Sequence, residues 1–181
     1  VRFNLNPSVL FLESLLFLAA IGLFLPTLTY DFAYDDFIQI VKNEYVRSPD
    51  KSLRQIFSVF GQPTIPGDLY RPLAAFSFRL NNLYESGIAQ SFHLLNVLLF
   101  AGIAVLVFVL IYRFSESKNL SFLAALLFVV HPVHVEPVAN IYGRTELLAA
   151  FFGIWAVLMF GSGVKDNSNV KVWLSGTLFF L

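Results

Sequence analysis

Leu94-Leu95-Asn96-Val97-Leu98-Leu99-Phe100-Ala101-Gly102-Ile103-Ala104-Val105-Leu106-Val107-Phe108-Val109-Leu110-Ile111-Tyr112 decides the fold. The run is uncharged and apolar but for Asn96. A helix crossing a bilayer needs about 20 mainly apolar residues. With no water in the hydrocarbon to bond the backbone, a helix satisfies its own polar groups. The run therefore predicts a transmembrane helix. The whole chain agrees: of 181 residues, 57% are hydrophobic and 13% charged, against about 25% charged in soluble domains. The expected class is an all-α, polytopic integral membrane protein.

Further apolar runs flank this one. Leu10–Leu28 is interrupted mainly by Glu13 and Ser14, and is long enough to span. A signal peptide is the competing reading, but the run is long and no small-residue cleavage site follows it. Leu120–Val130 is short, Leu147–Phe160 follows, and Val172–Leu181 begins another. The expected spans are about 10–29, 92–112, 119–133, 146–162 and 172–181, with a long loop over about 30–91. The chain begins at Val1 and ends inside the last apolar run. Residues 1–181 are therefore expected to be a piece of a larger protein, cut within a membrane helix.

Loop charges set the expected topology. Arg113 and Lys118 separate the second and third runs, and Lys165 and Lys171 the fourth and fifth. Short basic loops stay on the cytoplasmic side, and Arg2 puts the N-terminus there too. The 30–91 loop and the polar segment after Val130 then share the outer or lumenal face. The address is the endoplasmic reticulum in a eukaryote and the inner membrane in a bacterium.

The long loop is patterned. Phe37, Ile40, Val41 and Tyr45 repeat at helical spacing, as do Leu53, Ile56, Phe57 and Phe60, and then Leu73, Phe76, Leu80, Leu83 and Tyr84. These stripes predict short amphipathic helices lying along the interface. Ser48-Pro49 and Arg71-Pro72 read as helix starts, and Gly61–Gly67 as a loop between two of them.

Two polar clusters carry the candidate chemistry. His131-Pro132-Val133-His134-Val135-Glu136-Pro137 and Tyr142-Gly143-Arg144-Thr145-Glu146 stand between two apolar runs, where ionisable groups are costly. From Asn119 to Val133 a helix rises ~22 Å, less than the ~30 Å hydrocarbon core, so His131 and His134 are expected in a recess broken by Pro132 and Pro137. Tyr34-Asp35-Asp36 follows the first run. A carboxylate there is either a general base for an acceptor hydroxyl or a solvated turn at a helix start. His131, His134 and Glu136 are metal-ligand types, but their spacing fits no strong metal pattern. Hydrogen bonding in a polar pocket is the alternative, and no metal is expected. Arg144 with Glu146 is either an ion pair at the interface or an anion site, its guanidinium suiting phosphate oxygens. Arg71 is a weaker anion candidate, and Arg79 reads as a solvated face.

Zero net charge and the lack of a basic stripe exclude a nucleic-acid partner. With no cysteine, disulfides and thiolate chemistry are excluded. The sequence assigns no oligomeric state.

Tyr34-Asp35-Asp36, Tyr70-Arg71-Pro72-Leu73, Phe78-Arg79-Leu80-Asn81, Phe92-His93-Leu94-Leu95-Asn96-Val97-Leu98-Leu99, and His131 to Ala139 through Gly143-Arg144-Thr145-Glu146-Leu147-Leu148 occur in order over nearly all the chain. This set resembles the N-terminal membrane part of the transmembrane and tetratricopeptide-repeat (TMTC-like) family, which is similar to protein O-mannosyltransferases of the polytopic GT-C class. Phe100 departs from that pattern, which has histidine there. The repeats and most later helices of the family are not in this sequence.

The resemblance implies a GT-C-like helical bundle that moves a monosaccharide, mannose-type, from a polyprenyl (dolichyl-type) phosphate to a protein or glycan hydroxyl, with inversion. It implies Asp35 as the base, with Asp36 beside it, and no cofactor besides the lipid-linked donor. Arg144 or Arg71 would face the leaving phosphate, with His131, His134, Glu136 and Glu146 lining the pocket. The alternative is a non-enzymatic scaffold or transport subunit whose polar recess is structural.

Overall fold

The structure is a computed structural model and describes residues 6–48, 71–85 and 87–179. Every regular element among them is helical. Helix α1 (Pro7–Phe24) starts where physical chemistry favours it. The Asn6 side chain accepts the Ser8 N–H at 3.1 Å, and Pro7 occupies the first helical position. At its far end Pro26 removes a backbone donor, and the chain tightens into a 3-10 turn, Leu25–Thr29.

A π-helical turn, Phe37–Val41, and the short α2 (Glu44–Arg47) follow. The stripe from Phe37 to Tyr45 is thus realised as two tight pieces. The expectations for Pro49, Leu53–Phe60 and Gly61–Gly67 lie outside the described residues. Helix α3 (Pro72–Glu85) begins on its proline as the sequence predicts. Its inward face differs from the leucine stripe, since Ala74, Phe78 and Arg79 are buried while Leu80 and Leu83 are exposed.

Helix α4 (Ala89–Ser115) is the centre of the bundle and packs against α1, α5 and α7. It ends where Glu116 turns left-handed at φ 54°. Helix α5 (Lys118–Val130) stops at His131, because the residue before a proline is pushed out of the helical region. A 3-10 turn (Pro132–His134), α6 (Val135–Ala139) and a second 3-10 turn (Ile141–Gly143) carry the chain into α7 (Arg144–Lys165). Helix α8 (Asn169–Phe179) packs back on α7, so closely that a Cβ on Gly163 would lie 2.9 Å from Val172.

Three helical stretches are long and apolar enough to cross a membrane: Pro7–Thr29, Ala89–Ser115 and Ile141–Lys165. Lys118–Val130 with Pro132–Ala139 makes a fourth, bent by 52° at the break. The bundle core joins Ala20, Val97, Phe100, Ala104, Val129 and Leu147. The outer faces are apolar as well, with Phe11, Leu18, Leu123 and Leu127 all more than half exposed. Helices apolar on every side suit a lipid surround. This is an all-α membrane architecture.

The ends of the helices sort the polar groups. Lys118 Nζ donates to Ser8 Oγ at 3.3 Å, which puts the starts of α1 and α5 at one end. The loop after α1, α3 and the 131–146 segment gather at the other. There a second apolar cluster, with Ile40, Val46, Ala74, Phe78, Phe92 and Ile141, supports them from below.

Candidate functional site

Asp36 and Arg144 organise this end of the bundle. Asp36 is 1% exposed. Its Oδ2 accepts the Ala33 N–H at 3.0 Å and its Oδ1 the Tyr142 N–H at 2.8 Å. Burial raises its pKa above the ordinary carboxylate value, although these two amides pull it down. The carboxylate thus caps the 141–143 turn across 106 residues of chain. The Asn140 side chain caps the same N–H from within the segment, at 3.0 Å. Gly143 closes the turn. A Cβ there would fall 2.4 Å from the Pro137 carbonyl oxygen, so only glycine fits.

Arg144 is fully buried, and its guanidinium is committed. Nε donates to Asn96 Oδ1 at 2.8 Å, Nη1 to Asn81 Oδ1 at 2.8 Å and to Ser77 Oγ at 3.5 Å, and Nη2 to the Phe92 carbonyl at 2.8 Å. The plane lies 4.7 Å from the Phe78 ring and 5.5 Å from the Phe92 ring. A charge buried this deeply persists only when its donors are satisfied. Asn96 completes the network by donating to the Asn140 and Ile141 carbonyls at 3.0 and 3.2 Å. One side chain therefore fastens α3, α4 and α7 together. This departs from the expected open anion contact. The ion pair with Glu146 is not formed either, since Glu146 is exposed and has no partner among the described residues.

The remaining predicted groups separate by exposure. Asp35 is exposed, accepts no hydrogen bond among the described residues, and follows Tyr34, whose φ of 45° is strained for a non-glycine. Arg71 is half-buried; its Nη1 donates to Thr145 Oγ1 at 3.1 Å and its guanidinium lies 5.4 Å from the Tyr142 ring. Tyr142 is thus where the two clusters meet, its N–H on Asp36 and its ring against Arg71.

His131 is exposed, and its Nδ1 accepts the Val133 N–H at 3.2 Å. His134 is half-buried, with ring centroids 4.2 Å from Phe128 and 5.2 Å from Phe100. Among the described residues it packs on aromatics and makes no side-chain hydrogen bond, unlike the expected hydrogen bonding in a pocket. Glu136 is exposed. Among the described residues no three His, Asp or Glu side chains group to hold a metal ion. Arg79, read as a solvated face, is instead 3% exposed and donates to the Tyr45 and Ser48 carbonyls. These carbonyls supply the acceptors that solvent was expected to provide.

Asn81, Asn96, Ser77 and His93 were assigned no role from the sequence. His93 and Asn96 stand three residues apart at the edge of a long apolar run, a spacing that puts both on one helix face. That signal was readable.

Comparison with known proteins gives one consistent result. Over 147 residues the chain is 36% identical to the protein O-mannosyl-transferase TMTC3 of Mus musculus, covering 78% of this chain and 16% of that protein. Over 159 residues it is 35% identical to the protein O-mannosyl-transferase F38B6.6 of Caenorhabditis elegans, covering 82% and 23%. With the protein O-mannosyl-transferase TMTC4 of Mus musculus the identity is 32% over 170 residues, covering 83% and 23%. The chain thus spans about a fifth of the length of these curated relatives. No protein-family model matches, and no solved structure does.

Proposed function

The chain belongs to the TMTC-like family of protein O-mannosyl-transferases, and from that premise we propose that it is the N-terminal membrane part of a GT-C-type glycosyltransferase. The donor is a polyprenyl-phosphate monosaccharide, mannose-type, and the acceptor a protein hydroxyl. The observation that supports this reading is the junction at Tyr142, which gathers the Asp35-Asp36 loop and Arg71 at one end of the bundle.

The residues divide the work by what each has left to offer. Asp35, which accepts no hydrogen bond among the described residues, takes the acceptor's proton as the acceptor oxygen attacks the anomeric carbon. The bond from that carbon to the phosphate oxygen breaks on the opposite side, so configuration inverts. Negative charge builds on the departing polyprenyl phosphate, and the guanidinium of Arg71, which uses one N–H on Thr145 among the described residues, meets it; preorganised charge of this kind is often the largest catalytic contribution. Asp36 and Arg144 hold the loop and the helix start in place and touch no substrate. No metal or organic cofactor enters these steps. The basic loops between helices face the cytoplasm and the reacting end faces the lumen or exterior, in the endoplasmic reticulum of a eukaryote or the inner membrane of a bacterium.

The test is Asp35→Asn in the full-length protein, assayed with polyprenyl-phosphate mannose and a serine- or threonine-bearing acceptor. Transfer falls by about 10²–10⁴-fold, the usual size of a general-base contribution, with unfolding unchanged. Transfer at the wild-type rate overturns the assignment of Asp35.

A further inference from the structure

His93 is a buried titratable group that the mechanism above leaves unused. It is 1% exposed, and among the described residues neither Nδ1 nor Nε2 makes a hydrogen bond of full geometry, although the Tyr30 backbone lies close enough to act on the ring. Buried side-chain polar atoms nearly always make a hydrogen bond. Movement of the helix cannot relieve this isolation, because Arg144 bonds the carbonyl of Phe92 before it and the side chain of Asn96 one turn after it. Tyr30 meets the imidazole edge to face, with centroids 6.2 Å apart and planes at 88°, and is itself half exposed. Asp36, Asp31 and Arg144 all act on the ring electrostatically.

We infer that His93 is a binding residue for a hydroxyl group of one of the two substrates, the donor monosaccharide or the protein acceptor, reached when the Tyr30 ring swings aside. This rests on the proposed transferase reading. A neutral imidazole offers one donor and one acceptor, which is the complement of a hydroxyl. The carboxylates of Asp31 and Asp36 nearby disfavour an anion such as the donor's phosphate and leave a neutral polyol as the matching chemistry. A site built to hydrogen-bond a hydroxyl also discriminates strongly against analogues that lack it, so His93 serves specificity rather than proton transfer.

The experiment compares His93→Phe and His93→Asn in the full-length protein. Phenylalanine keeps the ring's edge contact with Tyr30 and loses both nitrogens, and asparagine keeps a donor and an acceptor. For His93→Phe the KM for one substrate rises roughly tenfold, the worth of about one hydrogen bond, with kcat nearly unchanged. A rise for the donor assigns the hydroxyl to the sugar, and a rise for the acceptor assigns it to the protein. His93→Asn recovers most of the affinity, and the thermal midpoint of His93→Phe equals or exceeds wild type, because an unmade polar group has been removed. Unchanged KM for both substrates overturns the inference, as does equal destabilisation by both variants with no change in affinity.

If the wild-type protein transfers no sugar, the transferase reading falls by itself. Thermal stabilisation by polyprenyl-phosphate mannose and by a serine peptide then decides the role of His93. Loss of one stabilisation in His93→Phe sustains it. Equal stabilisation of variant and wild type, or none of wild type, overturns it.

Discussion

Residues 131–136 and residues 140–146 come from one polar segment between two apolar helices, yet they end up as opposites. The first part keeps His131 and Glu136 exposed and rests His134 on the Phe128 and Phe100 rings. The second part is fastened from Asn140 to Arg144, with only Glu146 left exposed: Tyr142 to Asp36, Gly143 against Pro137, and Arg144 to side chains from two other helices. Similar residue types occupy both. The difference lies in burial, since a polar group taken out of water must find a partner, and each partner found fixes the backbone further. A charged motif in such a protein is therefore as readily a fastening as a reactive group. The reactive candidates are those the fastening leaves over, Asp35 and Arg71.

The contrast can be broken most severely at Gly143. In Gly143→Ala the new Cβ meets the Pro137 carbonyl at 2.4 Å, and neither strand of backbone can yield without unmaking the turn. A loss of more than about 4 kcal/mol is expected, read as absence of folded protein in detergent. Arg144→Lys comes next. Lysine keeps the charge but offers a point ammonium in place of the planar fork, so it cannot reach the acceptors on Asn96, Asn81 and Phe92 together. Breaking a buried charged network costs about 3–5 kcal/mol, measured by thermal unfolding.

Asp36 sharpens the contrast through pH. Its folded pKa is raised from 3.8 by burial, so the folded state holds the proton more tightly than the unfolded chain. The stability this contributes is full below the ordinary carboxylate value and is lost as pH rises through the raised one. The thermal midpoint of wild type relative to Asp36→Asn should therefore decline across that acidic window. A constant difference would show that Asp36 is not desolvated. Glu136→Gln is the smallest change, within about 0.5 kcal/mol as for surface substitutions; a larger loss would mean that the exposed half is fastened too.

The helices were legible where hydrophobic length speaks directly. The apolar run 94–112 became α4, extended to Ala89–Ser115 because Ser91, Phe92 and His93 are buried along with it. The break after Val130 was legible from Pro132, and the start of α3 from Pro72. The inward face of α3 was not. Leucine periodicity identifies an apolar stripe but cannot say whether lipid or protein covers it, and here Ala74 and Phe78 turned inward. Within the site, Asp35 and Asp36 look equivalent as neighbours and differ only once Tyr142 arrives from 106 residues away. The role of Arg144 was hidden for the same reason, because its side-chain partners lie 48 to 67 residues upstream.

That separation has a consequence in time. Asn81 on α3 waits for a donor that is 63 residues further along the chain. At translation rates of about 5–20 residues per second, the interval is roughly 3–13 s. Until Tyr142 and then Arg144 emerge, the loop bearing Asp36 has no turn to dock on and Ser77 and Asn81 on α3 lack their donor. Assembly of this end of the bundle is thus a late event in biogenesis, and a nascent chain stalled before Asn140 holds membrane helices without the junction at Tyr142 or the Arg144 network.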